Sequence, residues 1–138
     1  MSNSIGLYDA LIQSVLDAAI PYPIEWPNAT FNTPNGTPWV RVTPMNGKPT
    51  PISFSGTDRI DGVLQIDFFV VKKTGDRLGH EICDKIRRAF PLDGGATTSD
   101  EGVSVRFKSV AVKGQGEDGV WYKTMIEAHY YSYLNRND

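Results

Sequence analysis

Eight of the nine prolines in the chain lie between Pro21 and Pro51. Proline cannot donate a backbone hydrogen bond, clashes with the preceding helical turn and pushes the residue before it out of helical geometry. No helix can run through this third of the sequence, which must be built from extended segments and turns. Asn28, Asn32, Asn35 and Gly36 add turn formers between the prolines. Trp26, Phe31 and Trp39 are too apolar for a free linker, since aromatic side chains at that density pack onto the domain or onto a partner.

Helices are therefore confined to the two flanks of the proline block. On the N-terminal side Ile5, Tyr8, Leu11, Ile12, Val15, Leu16 and Ala19 recur at three- and four-residue spacing, with Asp9, Gln13 and Asp17 between them. This predicts an amphipathic helix with Ser4 as N-cap, ending near Ile20. On the C-terminal side Thr74-Gly75-Asp76 predicts a turn into a second helix, where Leu78, Ile82, Ile86 and Phe90 sit four apart and Asp84, Lys85, Arg87 and Arg88 face water. Pro91 stops it, and Asp93-Gly94-Gly95 makes the exit loop.

Trp39 to Thr43 alternates between Pro38 and Pro44, which predicts a short strand at a sheet edge. Ile60 to Val71 predicts a long strand with Leu64, Ile66, Phe68 and Val70 on one face and Gln65 and Asp67 on the other. Between them Met45 to Asp58 reads as an over-long hairpin loop, the first candidate for binding, mobile until a neighbour orders it. Val103, Val105 and Phe107 alternate in one phase and Val110 and Val112 in the other, so a β-bulge is expected near Lys108-Ser109. Gly114 to Gly119 is expected to be a hairpin loop, and Val120 to Leu134 a last strand with Tyr122, Ile126, Ala128 and Tyr130 towards the core. Its opposite face carries Trp121, Met125, Tyr131 and Tyr133 among Lys123, Glu127 and His129, an aromatic surface suited to protein contact.

The expected fold is a single α+β domain spanning residues 1–138, a mainly antiparallel sheet of about four to five strands with two helices packed on one face. With 14 Lys and Arg against 16 Asp and Glu, the chain has no field for gripping a phosphate backbone. Lys72-Lys73, Arg87-Arg88, Arg106 and Lys108 would have to be gathered by the fold to make a basic patch. No apolar run reaches the length of a membrane span, and the opening MSNSIG lacks the pattern of a secretion signal.

Catalytic patterns are missing too. His80 precedes Glu81, but a helical zinc site needs a second His four residues on, and Cys83 has no flanking base. Neither Gly94-Gly95 nor Gly114-Gln115-Gly116 stands between a strand and a helix with a following Lys and Ser or Thr, so no phosphate loop is expected. The expectation is no enzyme, no cofactor and no metal.

One order of segments carries a resemblance: the first helix, then Pro27-Asn28-Ala29-Thr30-Phe31, then Pro38-Trp39-Val40-Arg41-Val42, then Arg59 to Asp67, then a helix closing with Ile86-Arg87-Arg88-Ala89-Phe90. Over nearly the whole chain this resembles the tail terminator-like proteins of long-tailed bacteriophages. The resemblance implies a virion protein that forms a ring, as a rule a hexamer, on the end of a completed tail tube. There it stops polymerisation and offers a surface to the head-tail connector. Its implied partners are further copies of itself, the tail tube protein and the connector, with DNA passing through the ring without specific binding, and no membrane. The implied location is the head-proximal end of the tail, and the host cytoplasm during assembly. Another tail-module structural protein, such as a minor tail or head-tail joining protein, and a small enzyme are the competing readings.

Trp and Arg are frequent interface anchors, and Trp39 and Arg41 share a strand face. They are expected to join Arg59 and Asp61 in a contact with a neighbouring subunit or the tube, beside the surface of Trp121, Met125, Tyr131 and Tyr133. The competing expectation is that Trp39 covers the protein's own core and Arg41 pairs with an acid.

Overall fold

The computed structural model describes residues 3–52, 56–73, 77–90, 92, 95–100 and 102–135. In chain order the elements are α1 (Asn3–Asp17), β1 (Ile24–Glu25), β2 (Trp39–Asn46), β3 (Thr50–Pro51), β4 (Thr57–Val71), α2 (Arg77–Ala89), β5 (Thr97–Thr98), β6 (Ser104–Asp118) and β7 (Trp121–Asn135). The helix-strand-strand-helix-strand-strand order and the α+β class are as the sequence implies. The sheet is larger than four to five strands. Among the described residues it has seven, in the order β1-β2-β4-β7-β6-β5 with β3 added on β4. The extra ones, β1, β3 and β5, are two-residue pieces inside proline- or glycine-rich stretches, too short for any period to register.

The centre of the sheet is a 15-residue antiparallel ladder between β4 and β7, from Thr57 opposite Asn135 to Val71 opposite Trp121. β2 pairs antiparallel with β4, and β6 with β7. Only β1 is parallel to its neighbour, placing Ile24 beside Val40 and Glu25 beside Arg41. β2 is therefore inside the sheet for its first residues and becomes an edge only beyond Arg41. It also runs on through Pro44 to Asn46, past the proline expected to end it. A proline without an N–H is tolerated where its nitrogen faces an unpaired side.

The bulge falls where the valine phases clash: pairing jumps between Phe107 and Ser109, leaving Lys108 out of register, and jumps again between Val112 and Gly114. The expected loop from Gly114 to Gly119 is instead strand as far as Asp118, and the turn is only Gly119-Val120, with Gly119 at φ 60°. Glycines suggested a loop, but a long partner strand zips them into the ladder. The Met45 to Asp58 excursion is likewise shorter than expected, because Thr50 and Pro51 pair with Arg59 and Asp58; residues 53–55 lie outside the described residues.

One side of the sheet carries the core. Val40, Val42, Leu64, Ile66, Phe68, Val70, Val105, Phe107, Val110, Ile126, Ala128 and Tyr130 meet both helices there. From α2 come Ile82, Cys83, Ile86 and the following Phe90, in agreement with the four-residue spacing. The glycine turn expected before this helix and the loop expected after it fall largely outside the described residues. In α1 and just after it the buried residues are Gly6, Leu7, Ala10, Leu11, Ser14, Val15 and Ala18, while Ile5, Tyr8, Leu16 and Ala19 face solvent. The expected core stripe is thus rotated: α1 is apolar on two sides, and spacing alone could not say which side the sheet takes. Ser4 lies inside α1, not at its cap, and the helix ends at Asp17, before a turn in which Ala19 has φ 50°.

Candidate protein interface

Strand parity decides what stands on the face away from the helices. β4 residues 59, 61, 67 and 69 pair with β7 residues 133, 131, 125 and 123, and Phe69 and Asp67 pair with Trp39 and Arg41 on β2. Alternate residues share a face, so Trp39, Arg41, Arg59, Asp61, Trp121, Met125, Tyr131 and Tyr133 all lie on this outer face, as the sequence implies. They are spread along it: Phe69 lies ten positions beyond Arg59 on β4, about 33 Å along a strand, and seven of the eight fall into two clusters with Met125 between them.

At one end Trp39 stacks on Phe69 with centroids 4.0 Å apart and an interplanar angle of 8°. Phe31, delivered by the proline-rich segment, lies 5.2 Å from Trp39, and Trp121 meets it edge-on at 5.9 Å. The guanidinium of Arg41 lies over Trp39 and Phe69 at 5.4 and 5.2 Å and pairs with Glu25. Trp39 is left 4% exposed, so its ring serves its own protomer, and its indole N–H is buried with no acceptor among the described residues. Cross-strand from Arg41, the buried Asp67 accepts from Gln65 Nε2 at 3.0 and 3.1 Å.

At the other end Arg59 donates to both carboxylate oxygens of Asp61 at 3.1 Å, and Lys108 Nζ reaches Asp61 at 3.0 Å. Arg59 sits over the Tyr131 ring at 4.4 Å and contacts the Tyr133 hydroxyl at 3.5 Å. The Arg59 and Lys108 donors hold the Asp61 carboxyl below the ordinary carboxylate range, and Asp61 raises Arg59 in turn. Tyr133 remains 46% exposed. A cation fixed by a bidentate carboxylate and flanked by aromatic rings keeps little side-chain freedom. Met125 lies between the clusters, opposite Asp67 and against Gly114. Near it, Glu127 pairs with Lys113 at 3.2 Å and lies 3.5 Å from His129 Nε2.

Sequence reasoning expected Phe31 to pack onto the domain or a partner without naming Trp39 as its contact, and it missed Phe69, the other ring that encloses Trp39, and Lys108, the third member of the Asp61 cluster. The signal for Lys108 was in hand, because a bulged residue is re-aimed by the break in register. Three of the basic residues weighed as a patch are paired with acids: Lys72 with Glu117, Arg87 with Asp84 and Lys108 with Asp61. Among the described residues no group of three or more His, Cys, Asp or Glu is placed to hold a metal, and no helix is long and apolar enough to cross a membrane. Cys83 is buried, and that burial raises its thiol pKa.

The family model of the phage tail terminator protein matches residues 6–130. The chain belongs to the phage tail terminator family. The match takes in both outer-face clusters except Tyr131 and Tyr133, and it makes this family member a structural protein of the phage tail. No curated protein matches the sequence. A solved structure shares the fold, with a TM-score of 0.71 over 96% of each chain at 18% identity. At that identity the likeness is one of fold alone.

Proposed function

We propose that this terminator family member caps the completed tail tube as a ring of six copies, stops tube polymerisation and presents the ring's free side for head joining. The family match over residues 6–130 carries the reading. The outer face supports it, because Asp61, Lys108 and Tyr133 are exposed around the half-buried Arg59 and Tyr131, in an internally bonded cluster that suits contact with another subunit or the tube. Trp121, Met125 and Arg41 extend that contact surface towards the second cluster, where Trp39 acts as the internal anchor. A closed ring needs two different patches meeting head to tail on each subunit. It acts by occupying the growing end, with no turnover.

Six subunits of 15.3 kDa weigh about 92 kDa, well separated from a monomer with a radius of gyration of about 14 Å. The test uses the tube partner, because weak contacts gain strength when the tube end holds several copies together. Purified tube protein is polymerised with and without this protein, and tube lengths and end occupancy are read by electron microscopy. Shorter tubes with rings on their ends are expected. Tubes of unchanged length with bare ends, together with normal tails on virions lacking the protein, would overturn the assignment in favour of a minor tail role.

A further inference from the structure

Two surfaces of the chain are apolar, exposed and unlike in charge. The first is the solvent pole of α1. Ile5 and Leu16, each 53% exposed, stand on the side of the helix opposite its core stripe, and Tyr8, 42% exposed, stands on the flank between. A helix that packs one face on its own core ordinarily shows water a polar face. Beside this pole runs a groove of about 240 Å³, with Asp9, Ile12 and Leu16 on one bank and Thr98 and Asp100 on the other. The first 40 residues contain no Lys, Arg or His, so the charges of α1, Asp9 on the pole and Asp17 on its flank, are both negative.

The second surface is the arm at the turn between β2 and β4. Met45 is 41% and Ile52 51% exposed, and Pro49 and Pro51 are exposed between them. Lys48 is the only charge from Met45 to Ile52. The arm is tied to β4: the Gly47 N–H donates to the Asp61 carbonyl at 2.9 Å, and Thr50 and Pro51 pair with Arg59 and Asp58. The remaining exposed apolar side chains sit among charges of both signs: Val71 and Val120 near the Lys72–Glu117 and Lys123–Asp118 pairs, and Tyr133 against Arg59 and Asp61. Among the described residues, only the arm offers an acidic apolar pole an apolar surface of opposite charge.

We infer that the Met45–Ile52 arm of one copy seats on the α1 pole of the next, with Lys48 facing Asp9 and Asp100 across the groove. The contact joins unlike surfaces, so it propagates head to tail and closes into a ring or runs on as a filament. It rests on the ring reading above and names the joint that reading requires.

Charge reversal tests it on the full-length protein, by sedimentation at increasing concentration and by occupancy of tube ends. Lys48→Glu alone, and Asp9→Lys with Asp100→Lys, should each weaken self-association about tenfold or more. Thermal unfolding should be almost unchanged, because all three side chains are exposed. The three substitutions in one chain should restore association, since opposite signs again face each other. Leu16→Ser should weaken association without charge change. An assembling protein indifferent to these changes, or one that the triple variant fails to rescue, would overturn this joint and leave the ring standing. Wild-type protein that stays monomeric both free and at tube ends would overturn joint and ring together.

Discussion

The hydroxyl of Tyr130 occupies the space that a side chain on Gly62 would fill. The two are cross-strand partners, and a Cβ on Gly62 would lie 2.5 Å from the Tyr130 oxygen and 2.5 Å from the Met45 carbonyl oxygen. Tyr130 is fully buried and donates its hydroxyl hydrogen to Asn46 Oδ1, so one side chain crosses β4 and ties β7 to β2. Glycine inside a strand ordinarily weakens it, but here it admits the close approach that joins three strands. Gly62→Val should therefore destabilise the protein by about 2 kcal/mol or more, read as a lower urea midpoint, because the carbonyl in the way is backbone and cannot swing aside.

The same burial pushes the Tyr130 phenol up to about 12. An acid whose pKa is raised on folding ionises first in the unfolded chain, so its linkage contribution is intact below about pH 10 and is lost as pH rises from there towards 12. Stability should fall over that window, and Tyr130→Phe should remove that share of the fall. The variant should also lose about 1 kcal/mol at neutral pH from the missing hydrogen bond. Ultraviolet titration of the phenols alongside urea unfolding measures both effects.

Gly79 in α2 faces Thr124 on β7 so closely that a Cβ would fall 2.1 Å from Thr124 Oγ1. Alanine is worth up to about 1 kcal/mol over glycine in a helix interior, but the overlap forces α2 away from the sheet. Gly79→Ala should lower the melting temperature, and adding Thr124→Ala should recover much of the loss. A rise in melting temperature for the single variant would mean that helix propensity outweighs the close packing.

Arg41 lies over two aromatic rings and pairs with Glu25, and its cross-strand neighbour is Asp67. Arg41→Glu would set three acids together and strip the cover from Trp39. A stability loss of about 1–2 kcal/mol is expected, seen in thermal unfolding of the unassembled protein. Loss of ring assembly with unchanged melting would make Arg41 an interface residue first.

Asp61, held low by Arg59 and Lys108, should titrate below an ordinary carboxylate in two-dimensional NMR, and Arg59→Gln should move it back up. With a depressed folded value, its contribution is present above the unfolded value of about 3.9 and is lost as pH falls through the folded one. Wild type and Asp61→Asn should therefore differ in stability above about pH 4 and converge in stronger acid. The difference should be small and shrink with salt, because both side chains are well exposed.

The sequence by itself determined the elements whose signals are local and repeated. Prolines excluded helix from Pro21 to Pro51, four-residue spacing placed α2, alternation placed the long strands and assigned the faces of β7, and a break in valine phase located the Lys108 bulge. Tertiary structure decided everything that depends on which segments meet. It chose between the two apolar sides of α1, because only the position of the sheet distinguishes Leu11 from Leu16. It zipped Gly114 to Asp118 into a strand, because a ladder partner outweighs weak local preference. It also set Arg59 and Trp39 at opposite ends of one face, because that distance is fixed by the register between β2, β4 and β7, which no single segment encodes.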